Sequence, residues 1–145
     1  AGHVVVRDAA GIGGGAGIHH YVTIGESAFV GGLARVSRDV PPFMIVEGHP
    51  AEVRAVNVVG MTRRGITGEE MDAVKDTFRR LFRDNGNMMD NLAAVQADYG
   101  SRAAVMAVCD SLHAAAAGTH GRAREAGRSD DKWTGSSCVA SPGGK

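Results

Sequence analysis

Three histidines and a pair of arginines are the side chains of this chain best suited to chemistry. His3 and the adjacent His19-His20 carry imidazoles, which change charge near neutral pH and can exchange protons or hydrogen-bond a polar ligand. Adjacent residues on a strand point to opposite faces, so His19 and His20 argue against a shared zinc ion. Arg63-Arg64 offers planar guanidinium donors matched to phosphate oxygens, or else a solvated helix end where cations are favoured. Arg79, Arg80 and Arg83 cluster on one helix opposite its apolar face, reading either as a solvated face or as a patch that steers an acidic partner. Cys109 and Cys138 lack a metal-type spacing and read as reduced thiols of a cytosolic protein. No metal site is expected.

The histidines fall within a strict six-residue repeat. Val6, Ile12, Ile18, Ile24, Val30 and Val36 recur at that period, each followed four residues later by Ala10, Ala16, Val22, Ala28, Ala34 and Val40. Helices repeat at 3.6 residues and simple strands at 2. A period of six fits a parallel β-helix, whose stacked short strands send one aliphatic side chain per repeat into a shared axial core. Three hexads per coil give about two coils. Glycines at the second hexad position (Gly13, Gly25, Gly31) are expected at corners with positive φ. Pro41-Pro42 removes two backbone donors and should end the ladder. Phe43 to Val46 then has room for one more extended piece.

From about residue 55 the period turns helical. Asn57–Arg64 reads as a short helix stopped by Gly65, and Thr67 with Glu70 has capping-box spacing ahead of a helix with Met71, Val74, Phe78, Leu81 and Phe82 on one face. Met88–Tyr99 and a fourth helix bearing Val105, Val108, Cys109 and Leu112 come next. Residues 1–50 are therefore expected to be coils of the β-helix, 51–118 a helical domain and 119–145 a disordered tail rich in Gly, Ser, Arg and Asp. Sixteen basic against sixteen acidic residues give no bulk attraction to nucleic acid. No apolar run is long enough to span a membrane.

The order of parts is more specific than the hexads alone. Ala1-Gly2-His3-Val4, Ile18-His19-His20-Tyr21, Val30-Gly31-Gly32, Asp39-Val40-Pro41-Pro42, Glu47-Gly48-His49, Val56-Asn57-Val58-Val59-Gly60 and Arg63-Arg64-Gly65 appear in this order, with a helical bundle after them. Over about residues 1–116 this resembles the acyl-(acyl-carrier-protein)–UDP-N-acetylglucosamine O-acyltransferases of lipid A biosynthesis.

The resemblance implies a cytoplasmic bacterial homotrimer of left-handed β-helices with active sites in clefts between subunits. It implies transfer of a 3-hydroxyacyl chain from acyl carrier protein to the 3-hydroxyl of UDP-N-acetylglucosamine, with no cofactor beyond the carrier's phosphopantetheine thioester. The family's general-base histidine lies roughly one coil before the position of His3. No catalytic residue is therefore expected here, and the chain, which begins in mid-pattern, is expected to be an N-terminally truncated piece without activity of its own. Carried over by position, His3 lines the sugar end of the cleft, and His19 lies near phosphates or phosphopantetheine. His20, where the family has glutamine, hydrogen-bonds the nucleotide. Asn57 contacts the uridine, Arg63 and Arg64 bind phosphate, and Gly32 leaves the acyl groove open. Val59 stands where the family has glutamate. Two alternatives stay open: an amide-forming relative acting on a UDP-amino sugar, and a non-catalytic assembly module.

Overall fold

The structure, a computed structural model, describes residues 2–118; the expectation of a disordered tail at 119–145 lies outside them. Val5–Val6 (β1), Gly11–Ile12 (β2) and Gly17–Ile18 (β3) form one three-sided coil, and Thr23–Ile24 (β4), Phe29–Val30 (β5) and Arg35–Val36 (β6) form the next. Each strand pairs in parallel with its counterpart one coil on, setting Val6 against Ile24, Ile12 against Val30 and Ile18 against Val36. This is the expected parallel β-helix.

The strands are two residues long because the chain turns into the left-handed region at every sixth residue: His3, Ala9, Gly15, Tyr21, Ser27 and Leu33 have φ between 50° and 72°. Non-glycine residues adopt that region at a cost of about 1–2 kcal/mol. The corners offset it by donating to the coil beneath, as Tyr21 N does to Gly2 O, Ser27 N to Asp8 O and Leu33 N to Gly14 O, at 2.9–3.2 Å. Gly13, Gly25 and Gly31 are therefore not the positive-φ residues the sequence suggested. Their role is close approach. A Cβ on Gly13 would sit 2.5 Å from the Gly32 nitrogen, and one on Gly25 2.4 Å from the Pro42 nitrogen.

The axial core contains Val22, Ile24, Ala28, Val30, Ala34, Val36, Val40 and Val46, with Ala10, Ala16 and Ile18 packed against it. Burial of the first hexad residues falls short of expectation: Val6 is 51% and Ile12 44% exposed. Both are in register with the core, but among the described residues no coil stacks on their outer side. Each gains only part of the ~1.5–3 kcal/mol that full burial of such a side chain provides.

Pro41-Pro42 does not end the ladder. Val40 still bridges Ile24 in parallel, with Val40 N donating to Thr23 O and Gly25 N to Val40 O. The prolines occupy the next corner, where no ladder donor is needed. Beyond them Met44–Gly48 (β7) pairs in parallel with β5, Phe29 against Ile45, so part of a third coil succeeds the two expected. The offset between paired residues drops from 18 (Val6 to Ile24) to 16 (Ile24 to Val40), because the corner after Val36 is two residues shorter. Ala51–Val56 (β8) then returns antiparallel along β7, so the division expected after residue 50 runs through a hairpin.

Val58–Arg63 (α1), Gly68–Phe82 (α2), Met88–Tyr99 (α3) and Ala103–Ala116 (α4) complete the described chain. Their core joins Met61, Met71, Val74, Leu81, Leu92, Val95, Val105 and Val108 to Phe43 and Met44 of the β-helix end, which seats the bundle on the last coil. Met88 is 40% exposed, since it stands at the first turn of α3 beyond the core. Thr67 precedes α2 as expected but makes no cap bond. Glu70, the other half of the expected capping box, instead accepts from Ala104 N at 2.8 Å. It thus satisfies an amide in the first turn of α4, whose own flanking Arg102 caps nothing by its side chain.

Candidate functional site

The repeat brings His3, His19 and His20 to one corner. His3 and Tyr21 are equivalent residues of consecutive coils, and their rings stack at 4.8 Å with 4° between planes. His20 meets the same phenol edge-on at 5.6 Å and 76°, and His19 lies tilted against His20 at 4.0 Å. His19 Nδ1 is 3.2 Å from the His20 carbonyl oxygen. A carbonyl only accepts, so the tautomer with its proton on Nδ1 makes this contact a hydrogen bond and keeps Nε2 as an acceptor. Tyr21 carries no role in the sequence reading, although counting one coil on from His3 leads to it.

Asn57, Arg63 and Arg64 belong to a different corner, the one between β4 and β5. Asn57 is bound there three ways: its N–H donates to Phe43 O at 2.7 Å, its Nδ2 to Ser27 O at 2.7 Å, and its Oδ1 accepts from Gly60 N at 3.0 Å. It therefore caps α1 and ties it to the β-helix. Arg64 pairs with Glu26 at 3.6 Å, whereas the exposed Arg63 has no ion-pair partner among the described residues. Gly32 lies at the third corner. A Cβ there would meet only the Gly14 carbonyl oxygen, at 3.4 Å, so the corner itself does not require glycine at this position. Within one chain the two groups of site residues are thus held apart by the prism.

The α2 arginines are engaged. Arg79 bonds Asp76 and Asp84, Arg80 bonds Asp98, and Arg83 donates to Arg54 O. Asp76 also accepts from Tyr99. Arg79's hydrogen bond, first, and then that of Tyr99 hold the Asp76 carboxyl below the usual carboxylate range, against the opposing effect of burial. Carboxylates thus match the charges of Arg79 and Arg80, which favours the solvated-face alternative over a patch that steers an acidic partner.

A cleft of about 420 Å³ separates the β1–β4 face from α4; its lining includes Asp8, Glu26, Asp39 and Asp110, with Arg7 as the one cation. That sign suits no phosphate-bearing ligand. A second hollow, about 430 Å³, lies beside Arg64 and Glu70. Neither is lined by the histidines of the corner, and the chemistry argues for the side-chain groups over either hollow.

A parallel β-helix of six-residue repeats, with imidazoles at one corner and a helical bundle on its last coil, defines a hexapeptide-repeat protein. Residues 39–120 match the family model for domain 2 of UDP N-acetylglucosamine O-acyltransferase. The chain belongs to the UDP-N-acetylglucosamine O-acyltransferase family. An acyl-(acyl-carrier-protein)–UDP-N-acetylglucosamine O-acyltransferase of Synechocystis sp. is 46% identical over 85 residues, covering 59% of this chain and 31% of that protein. The protein of the same name from Gloeothece citriformis is 39% identical over 113 residues, covering 78% and 41%. Among solved structures, the Arabidopsis UDP-N-acetylglucosamine acyltransferase superposes with a TM-score of 0.71 at 34% identity, covering 77% of this chain and 41% of that one. The Campylobacter jejuni enzyme gives 0.68 at 31%, covering 74% and 42%. The chain thus spans 31–41% of the length of these two curated relatives.

Proposed function

We propose that this chain forms the C-terminal part of an acyltransferase that moves a 3-hydroxyacyl group from acyl carrier protein to the 3-hydroxyl of UDP-N-acetylglucosamine. The observation that carries the proposal is the gathering of His3, His19 and His20 at one corner, in a chain of this family. The sugar oxygen attacks the thioester carbonyl, an ester forms, the C–S bond breaks, and the sugar proton passes through the base to the departing phosphopantetheine thiolate. His3 and His19 bind and orient substrate, with His20 and Asn57 toward the nucleotide and Arg63 and Arg64 toward phosphate. Gly32 keeps the acyl groove open. The general base precedes His3 by about a coil. No metal or dissociable cofactor takes part. The donor places the reaction in the bacterial cytoplasm.

The separation of the histidine corner from Arg63 within one chain supports a site completed by a neighbouring subunit, and with it a homotrimer of left-handed β-helices. Asn57 has room for this role, since each of its side-chain heteroatoms makes one bond and can make another.

Turnover by the complete protein, with hydroxyacyl carrier protein and either UDP-N-acetylglucosamine or its 3-amino analogue, tests this reading. Ester formation is expected. Turnover of the amino analogue alone would replace it with amide synthesis, and no turnover of either would leave an assembly module. The 145-residue chain alone should show no transfer, because a general base commonly contributes ~10²–10⁴-fold.

A further inference from the structure

We infer that Tyr21 is a positioning residue that holds His3 and His20 in their binding orientations; this rests on the acyltransferase reading for its kinetic consequence but not for its geometry. Tyr21 is only 8% exposed. Its backbone is locked in the left-handed region at φ 65°, and its N–H donates to Gly2 O, the residue preceding His3. The phenol is thereby fixed to the same corner column as the imidazole it carries. One face of the ring lies flat under His3, and His20 packs against it nearly perpendicular. His3 itself is exposed, and its ring has no hydrogen-bond or ion-pair partner among the described residues, so the stack is what restricts its rotation. The rotamer freedom of an exposed imidazole would otherwise have to be lost on binding substrate. Of the four rings at this corner, Tyr21 is the most buried, and it touches two of the three histidines.

The geometric test needs no variant. Proton NMR of the 145-residue chain should show the His3 ring protons shifted upfield by the phenol face beneath them. Free-histidine positions for a folded chain, or an unfolded chain in which no such shift survives in the complete protein either, would overturn the proposal. The kinetic test uses Tyr21→Phe, Tyr21→Leu, His3→Ala and the Tyr21→Leu/His3→Ala double variant of the complete protein. Tyr21→Leu should raise KM for the nucleotide sugar about two- to tenfold, the range of an aromatic pair, with kcat little changed. Tyr21→Phe should keep the wild-type value, and Tyr21→Leu should add nothing once His3 is alanine. Additive losses, or a Phe variant as impaired as the Leu variant, would refute positioning through the ring. If the upfield shift is present but His3→Ala leaves KM unchanged, the acyltransferase role of His3 falls and the stacking role stands.

Discussion

Arg63 and Arg64 are neighbours with different expectations. Arg64 spends its charge on Glu26 across a half-exposed 3.6 Å pair, the kind of contact worth little. Arg63 is exposed, with no such partner among the described residues. In the complete protein Arg63→Ala should weaken nucleotide-sugar binding by ~1.5–3 kcal/mol, the value of a charge-assisted hydrogen bond, and leave the melting temperature unchanged. Inhibition by UDP and calorimetric melting would show both; unaltered affinity would make Arg63 a solvated helix end. At this scale the sequence was legible where residues share a hexad position. The period alone groups His3 with the corner of His19 and His20. It could not show that Asn57 bonds Ser27 and Phe43, because those bonds join residues from separate turns of the fold.

The elements depend on two different devices. In the coils it is clearance. Gly25→Ala would drive a methyl into the backbone of Pro42, whereas a Cβ on Gly17 meets nothing within 4 Å. Urea unfolding should show Gly25→Ala destabilised by ~1–3 kcal/mol and Gly17→Ala within about 0.5 kcal/mol of the parent; equal effects would refute the close-approach account. In the bundle the device is a charge network around Asp76, which joins α2 to the Tyr99 end of α3. Its pKa is depressed in the fold, so its contribution is present above the unfolded carboxylate value and fades as pH falls through the folded one. Asp76→Asn should therefore lower the unfolding free energy near pH 7 by roughly 1 kcal/mol, with the difference closing as pH falls below the ordinary carboxylate range. A gap independent of pH would locate the loss in packing instead. The helices were readable from their apolar stripes, and α3 ends at the expected residues. The continuation past Pro41-Pro42 was not, because the pattern of proline cannot reveal that the shortened corner sets both rings outside the ladder. Nor could the Thr67–Glu70 spacing disclose that α4 offers Glu70 a competing amide.

For the molecule as a whole, assembly is the natural test. If sites form between copies, the complete protein should scatter light as a trimer, and a stable monomer at micromolar concentration would contradict the proposed site. The 18-residue spacing of the first two coils has a consequence for how such a protein can change length in evolution. Inserting one further 18-residue unit between them would preserve every inward aliphatic residue, every left-handed corner and every inter-coil amide bond. Such a chain should fold. Yet each added strand layer shifts the later coils and the bundle by about 4.8 Å, carrying Arg63 that much farther along the axis from His3. Duplication is thus permitted by stability and forbidden by registry between the two groups, so the number of coils between His3 and the bundle is a dimension of the site itself.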